Sequence, residues 1–291
     1  MLSLKPNSRK RKASSDTKVM KKRRKQGQLI VSKYQVAIKH IPVERVQWII
    51  VDFQVAIKHI PVERVQWIIV MKNGQRECLP LKVFLIQKAA GGNHCGGSAA
   101  AISLLDWYIK EEELILILER PSPCSDLFDY VKSKGGFLGE KEAKNIMHQL
   151  VKAAVDLHKN SVFHRDIKHQ NVLLEWRDGD LRVRLIEFGC GTRTKEGYYH
   201  HFRGTGPYAP PEVFWKNKYR ECPTTVWQLG VLMYGLLEGN QLFLIEKFLQ
   251  KNLNMDLKVS KNCQDFLDKC LCECPEKRAD LEQLMLHPWF Q

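Results

Sequence analysis

The stretch His164-Arg165-Asp166-Ile167-Lys168-His169-Gln170-Asn171 decides how the chain is read. It is mostly polar and sits between two segments of opposite periodicity. Upstream, Lys141 to His158 carries Ile146, Leu150, Val151, Ala154 and Val155 at spacings of three and four, which predicts an amphipathic helix. Downstream, Asn171 to Trp176 and Leu181 to Ile186 flank Asp178-Gly179, which predicts a β-hairpin. Further out, the apolar run Leu114 to Leu118 predicts a buried strand, closed by Pro121 and Pro123, neither of which can continue a ladder. Beyond residue 210 the pattern is mostly helical, and Val226 to Leu237 is apolar enough for a buried helix. Strands first and helices second predict an α+β chain in two lobes.

The quoted stretch resembles the catalytic loop of protein kinases. That resemblance implies that Asp166 accepts the hydroxyl proton of the substrate, Lys168 steadies the transferring phosphate and Asn171 binds a metal ion. It also implies Ser/Thr substrates, from the lysine at 168. Ile186-Glu187-Phe188-Gly189 stands where the metal-binding Asp-Phe-Gly is expected. Ala209-Pro210-Pro211-Glu212 stands where an activation segment closes, with Arg278 placed to form a buried pair with Glu212.

Over about residues 50 to 291 the chain further resembles the Pim kinases, in particular the Pim-like kinases of fishes. The matching segments are Val55-Ala56-Ile57-Lys58-His59, Leu104-Leu105-Asp106-Trp107, Leu118-Glu119-Arg120-Pro121-Ser122-Pro123, Asp126-Leu127-Phe128-Asp129 and His287-Pro288-Trp289. This implies a bilobal kinase-like domain over 27–291, with a small β-rich N-lobe at about 27–118 and a larger helical C-lobe at about 122–291. The implied cofactors are ATP and Mg. In that scheme Lys58 clamps the ATP phosphates, Leu118 guards the back of the pocket and Asp126 contacts the ribose. Glu119 offers its carbonyl to the adenine, because Pro121 has no N–H to donate. Asn171 and Glu187 hold the metal.

Four features depart from the family pattern. No GxGxxG loop precedes Lys58, although only glycine lets backbone come close enough to cover the phosphates. The position of the helix glutamate holds Lys82, 24 residues after Lys58, and is expected to repel it. The metal-binding Asp is Glu187, one methylene longer, and magnesium's octahedral shell tolerates displacement poorly. His169 and Gln170 replace the acidic pair before the loop asparagine, which should weaken any preference for arginine-rich peptides, although Asp126 and Asp129 retain negative charge. The leading expectation is Ser/Thr phosphoryl transfer; the alternative is a catalytically inactive pseudokinase that binds partners.

Composition excludes other classes. With 291 residues, 44% hydrophobic and 27% charged, the chain is neither disordered throughout nor fibrous. No apolar run approaches the roughly 18 residues of a membrane span, and none marks a signal peptide, so no membrane association is expected. Nine cysteines, an odd number, predict reduced thiols inside the cell. Cys263, Cys270, Cys272 and Cys274 cluster without the spacing of a zinc site. The net charge of +14 is concentrated at the start, where the first 25 residues hold eleven Lys and Arg against Asp16. Residues 1–26 are therefore expected to be a disordered basic tail. Its clusters Arg9 to Lys12 and Lys21 to Lys25 resemble a bipartite nuclear-import signal, which predicts binding to an import receptor and a cytoplasmic and nuclear location. A tail binding polyanions through charge alone is the alternative, and the absence of aromatic residues disfavours a nucleic-acid surface. A monomer is expected. Finally, Gln35 to Val51 and Gln54 to Val70 are identical, an offset of 19, with no third copy to make a solenoid. Only one copy is expected in any given place in a sheet.

Overall fold

A computed structural model of the chain describes residues 35–38, 54–91, 101–238 and 243–291. The basic tail, the segment 39–53 of the repeat and Gly92, Gly96 and Gly97 lie outside the described residues. The first half runs β1 (Gln35–Ile38), β2 (Gln54–Pro61), β3 (Trp67–Lys72), β4 (Gln75–Pro80), α1 (Leu81–Ala89), β5 (Leu104–Lys110), β6 (Glu113–Glu119), β7 (Cys124–Asp126) and α2 (Leu127–Ser133). It continues with α3 (Glu140–Lys159), β8 (Val162–Phe163), β9 (Val172–Arg177), β10 (Asp180–Leu185) and β11 (Thr192–Arg193). The helices α4 (Pro211–Lys216), α5 (Glu221–Glu238), α6 (Ile245–Leu249), α7 (Lys261–Cys270) and α8 (Leu281–Met285) complete it.

The chain divides into two compact units, one ending at Val65 and resuming over Leu105–Leu118, the other made of Gln66–Leu104 and Glu119–Gln291. The first unit carries the sheet β1-β2-β6-β5. Leu114, Ile115, Leu116 and Ile117 are all buried, as an unbroken apolar strand requires. The two copies of the repeat do not compete for one place: β1 lies parallel to β2, Gln35 opposite Gln54 and Ile38 opposite Ile57.

In the second unit, β3 and β4 form a hairpin turned by Asn73-Gly74, both at positive φ, the backbone that two-residue turns require. The predicted hairpin at Asp178-Gly179 is β9–β10, in the same kind of turn, and β9 also pairs with β7. The amphipathic pattern of α3 buries Ala143, Ile146, Met147, Leu150, Val151 and Ala154. Helix α5 is buried almost continuously from Thr224 to Leu236 and packs against both α3 and α7. Cys263 and Cys270 face this core from α7, where burial pushes both thiols above their ordinary pKa, so they are packing residues.

Arg278 and Glu212 form the pair expected from the sequence. Nη1 and Nη2 each donate to a Glu212 carboxylate oxygen at 2.9 Å. The guanidinium also donates to the carbonyls of Pro223 at 2.7 Å and Cys272 at 2.9 Å, and lies over the Trp227 ring. Such complete satisfaction is what allows two charges to be buried.

Candidate active site

The quoted stretch joins β8 to β9 and is fixed from three sides. His164 is buried, and its Nδ1 accepts the Asp166 N–H at 3.3 Å while Nε2 donates to the Ile186 carbonyl at 3.0 Å. Burial lowers its pKa, so the ring stays neutral and can play both roles. Arg165 sits at positive φ, and its guanidinium donates to the carbonyls of Cys190 at 2.5 Å and Gly191 at 3.3 Å. From α5, Gln228 reaches both sides of the turn: Nε2 donates to the Arg165 carbonyl at 2.7 Å and Oε1 accepts the Ile167 N–H at 3.2 Å.

These anchors hold the Asp166 carboxylate among convergent donors. Oδ1 accepts from the Thr205 N–H at 2.9 Å and the Thr205 hydroxyl at 2.6 Å. Oδ2 accepts from Asn171 Nδ2 at 2.9 Å and lies 3.4 Å from Lys168 Nζ. Lys168 in turn donates to Thr205 Oγ1 at 2.8 Å. The arrangement is a fixed carboxylate with an ammonium beside it and a hydroxyl already bonded to it, the geometry a hydroxyl-directed base requires. Three of the residues singled out in the sequence, Asp166, Lys168 and Asn171, are thus brought together, with Thr205 as a fourth.

Glu187 follows β10 at positive φ, an uncommon backbone for a side chain of this size, of the kind that gathers at functional sites. Its Oε2 lies 3.2 Å from Nζ of Lys82, on the first turn of α1. The ammonium of Lys82 thus has a carboxylate partner within its own unit, a contact the sequence reading did not anticipate. Asn171 spends its amide nitrogen on Asp166, which leaves its amide oxygen as the atom for a ligand. An amide oxygen and a carboxylate are the hard donors a divalent cation takes, so the residues fit such an ion, with Lys82 sharing the carboxylate.

The remaining candidates are more dispersed. Asp126 is the N-cap of α2, its Oδ1 accepting the Asp129 N–H at 2.9 Å. The Glu119 side chain is tied down by Arg184, at 3.3 Å, and by the Ser103 N–H, at 3.2 Å, which fixes the backbone there. Lys58 on β2 and Leu118 on β6 belong to the first unit, both half-buried.

The family model described as protein kinase domain matches residues 54–290. The chain belongs to the protein kinase family. The kinase is 36% identical over 220 residues to Serine/threonine-protein kinase pim-2 of Danio rerio, covering 75% of this chain and 70% of that one. It is 34% identical over 224 residues to Serine/threonine-protein kinase prk-2 of Caenorhabditis elegans, covering 75% and 48%. It is therefore a Pim-like Ser/Thr kinase, of a family that works with ATP and a divalent metal.

Two residues of the kinase site escaped the sequence reading. Thr205 had a signal, a hydroxyl flanked by Gly204 and Gly206 just before Ala209-Pro210-Pro211-Glu212. Gln228 also had one, as a polar residue inside the apolar run Val226 to Leu237, where an amide survives only with partners.

Proposed function

We propose that this kinase transfers the γ-phosphoryl group of ATP to Ser and Thr hydroxyls of protein substrates, at a rate held down by the Lys82–Glu187 pair. The observation that carries the reading is the convergence of Lys168, Asn171 and Thr205 on the Asp166 carboxylate. Of the contacts to that carboxylate, the one from Lys168 to Oδ2 is the longest, so Oδ2 is the oxygen a substrate hydroxyl would engage. Asp166 then takes the hydroxyl proton, and Lys168, released toward the phosphate, offsets the charge that develops on it. Asn171 and Glu187 would hold a magnesium ion, and Lys58, Leu118, Glu119 and Asp126 would contact the nucleotide. When bound, ATP supplies the phosphoryl group and magnesium screens its charge.

A second reading, a pseudokinase that binds partners without catalysis, is favoured by the ammonium of Lys82 on the metal carboxylate and by the absence of a GxGxxG sequence before Lys58. The basic tail would direct either form to the nucleus through an import receptor, as a monomer. Single-turnover transfer from radiolabelled ATP to a Ser peptide decides between the two. The kinase reading requires transfer that Asp166→Asn removes, whereas transfer equal in both proteins, or none at any magnesium concentration, supports the pseudokinase.

A further inference from the structure

A pocket of about 420 Å³ opens beside Asp166, lined in part by Lys168 and Thr205, both of which bond to that carboxylate. Its walls are mainly apolar: Phe128 and Val131 of α2, Pro207 and Tyr208 after Thr205, Val231 of α5, and Phe243. Among the described residues no carboxylate lines it: neither Asp126 nor Asp129 is among its lining residues, and the charged groups there are the ammoniums of Lys132 and Lys168.

The floor is built by two residues that depend on each other. The His169 ring lies so close to Gly235 that a Cβ added there would stand 2.7 Å from Cε1 and 3.1 Å from Nε2. Any side chain at 235 is therefore excluded while His169 is present. The ring is also held in place, with Nδ1 2.7 Å from the Tyr208 hydroxyl and a hydrogen bond to the Leu232 backbone. Held by Tyr208 and packed against Gly235, the imidazole ring is part of the wall.

We infer that this pocket selects a large apolar side chain, such as Leu, Met or Phe, flanking the Ser or Thr of the substrate, and discriminates against Arg. The inference rests on the proposed phosphoryl transfer, because the peptide must bring its hydroxyl to Asp166. An extended peptide advances about 3.3 Å per residue, so a side chain about two to four residues from the acceptor reaches the pocket. An apolar side chain there leaves water for apolar walls. A guanidinium would lose its hydration, gain no carboxylate and face two ammoniums.

The test is a positional scan of fluorescent Ser peptides on the full chain, reading binding by anisotropy and transfer separately. One flanking position should favour Leu, Met or Phe over Arg by about tenfold in binding. The double variant His169→Ala with Gly235→Asp, which opens the floor and places a carboxylate in it, should reverse the order at that position alone. Phe128→Asp, at a residue 47% exposed and so tolerant of change, should also abolish the apolar preference if the double variant does not fold. Arg equal to or better than the apolar residues at every position overturns the inference, as does a preference that survives Phe128→Asp. Apolar selection in binding with no transfer to any peptide leaves the pocket assignment standing and sinks the phosphoryl-transfer reading instead.

Discussion

Lys82 Nζ lies 3.2 Å from Glu187 Oε2, joining the first turn of α1 to the residue that follows β10. Each of these residues departs from the family pattern, and the two departures answer each other in charge. The lysine side chain is 13% exposed and the glutamate 39%, so the pair stands between the surface and buried limits. A cation that binds Glu187 must displace or share with this ammonium, at a cost on the order of 1 kcal/mol. The Asp166 carboxylate, by contrast, keeps its donors Asn171 and Thr205, with Lys168 beside it.

Arg278→Ala should destabilise the protein by about 3 to 5 kcal/mol, since it leaves the Glu212 carboxylate buried without its partner. Urea denaturation measures it, and a loss below about 1 kcal/mol would contradict the buried pair.

Gln228→Leu removes the partners of the Arg165 carbonyl and the Ile167 N–H, both in the catalytic loop. Two stranded backbone groups should cost about 2 to 4 kcal/mol of stability and lower kcat more than they raise KM. Gln228→Glu can still accept from Ile167 but cannot donate to Arg165, so it should not rescue kcat. Unchanged kcat in the folded Leu variant would show that the loop needs no such tie.

Burial pushes the His169 pKa down from 6.5 to about 4. In the unfolded chain the ring takes its proton first as pH falls, so its contribution to stability is whole above about 6.5 and drains away between there and 4. The full amount is up to about 3 kcal/mol, and buried His164 acts in the same direction. Between pH 7.5 and 4.5 the wild type should lose about 2 kcal/mol more than His169→Gln. Parallel losses would mean that the ring is protonated in the folded state.

The helices, the β9–β10 hairpin and the Arg278–Glu212 pair were legible because periodicity and short motifs are local signals. So were Asp166, Lys168 and Asn171, which fall within six residues of sequence. The Lys82–Glu187 contact joins residues 105 apart, and Thr205 meets Asp166 across 39, so these pairings exist only once packing sets α1 and the activation segment in place. The sequence reading set Lys82 only against Lys58, and the Glu187 carboxylate beside it carried no local signal at that separation. The opening residues of the duplicated segment, Gln35–Ile38 and Gln54–Ile57, take neighbouring places in one sheet, a pairing that identity of sequence alone does not specify.

Deleting residues 1–26 should leave the melting temperature unchanged within about 2 °C, because the tail's eleven Lys and Arg outnumber its apolar side chains and oppose burial, and should reduce nuclear accumulation. Imaging a fluorescent fusion with and without the tail reads the second effect. Equal nuclear signal would remove the import role.

The most direct measurement is the magnesium dependence of single-turnover phosphate transfer in the wild type, Lys82→Met and Lys82→Met with Asp166→Asn. Methionine is one atom shorter than lysine, keeps an apolar stem of similar bulk and removes the charge, so the cation no longer competes with the Lys82 ammonium and no new carboxylate is placed beside Glu187. The account predicts that Lys82→Met lowers the half-saturating magnesium concentration about five- to tenfold, the equivalent of roughly 1 kcal/mol, and raises the rate. Adding Asp166→Asn should then remove transfer. Identical magnesium curves for the wild type and Lys82→Met would contradict it, since Lys82 would then have no hold on the metal carboxylate.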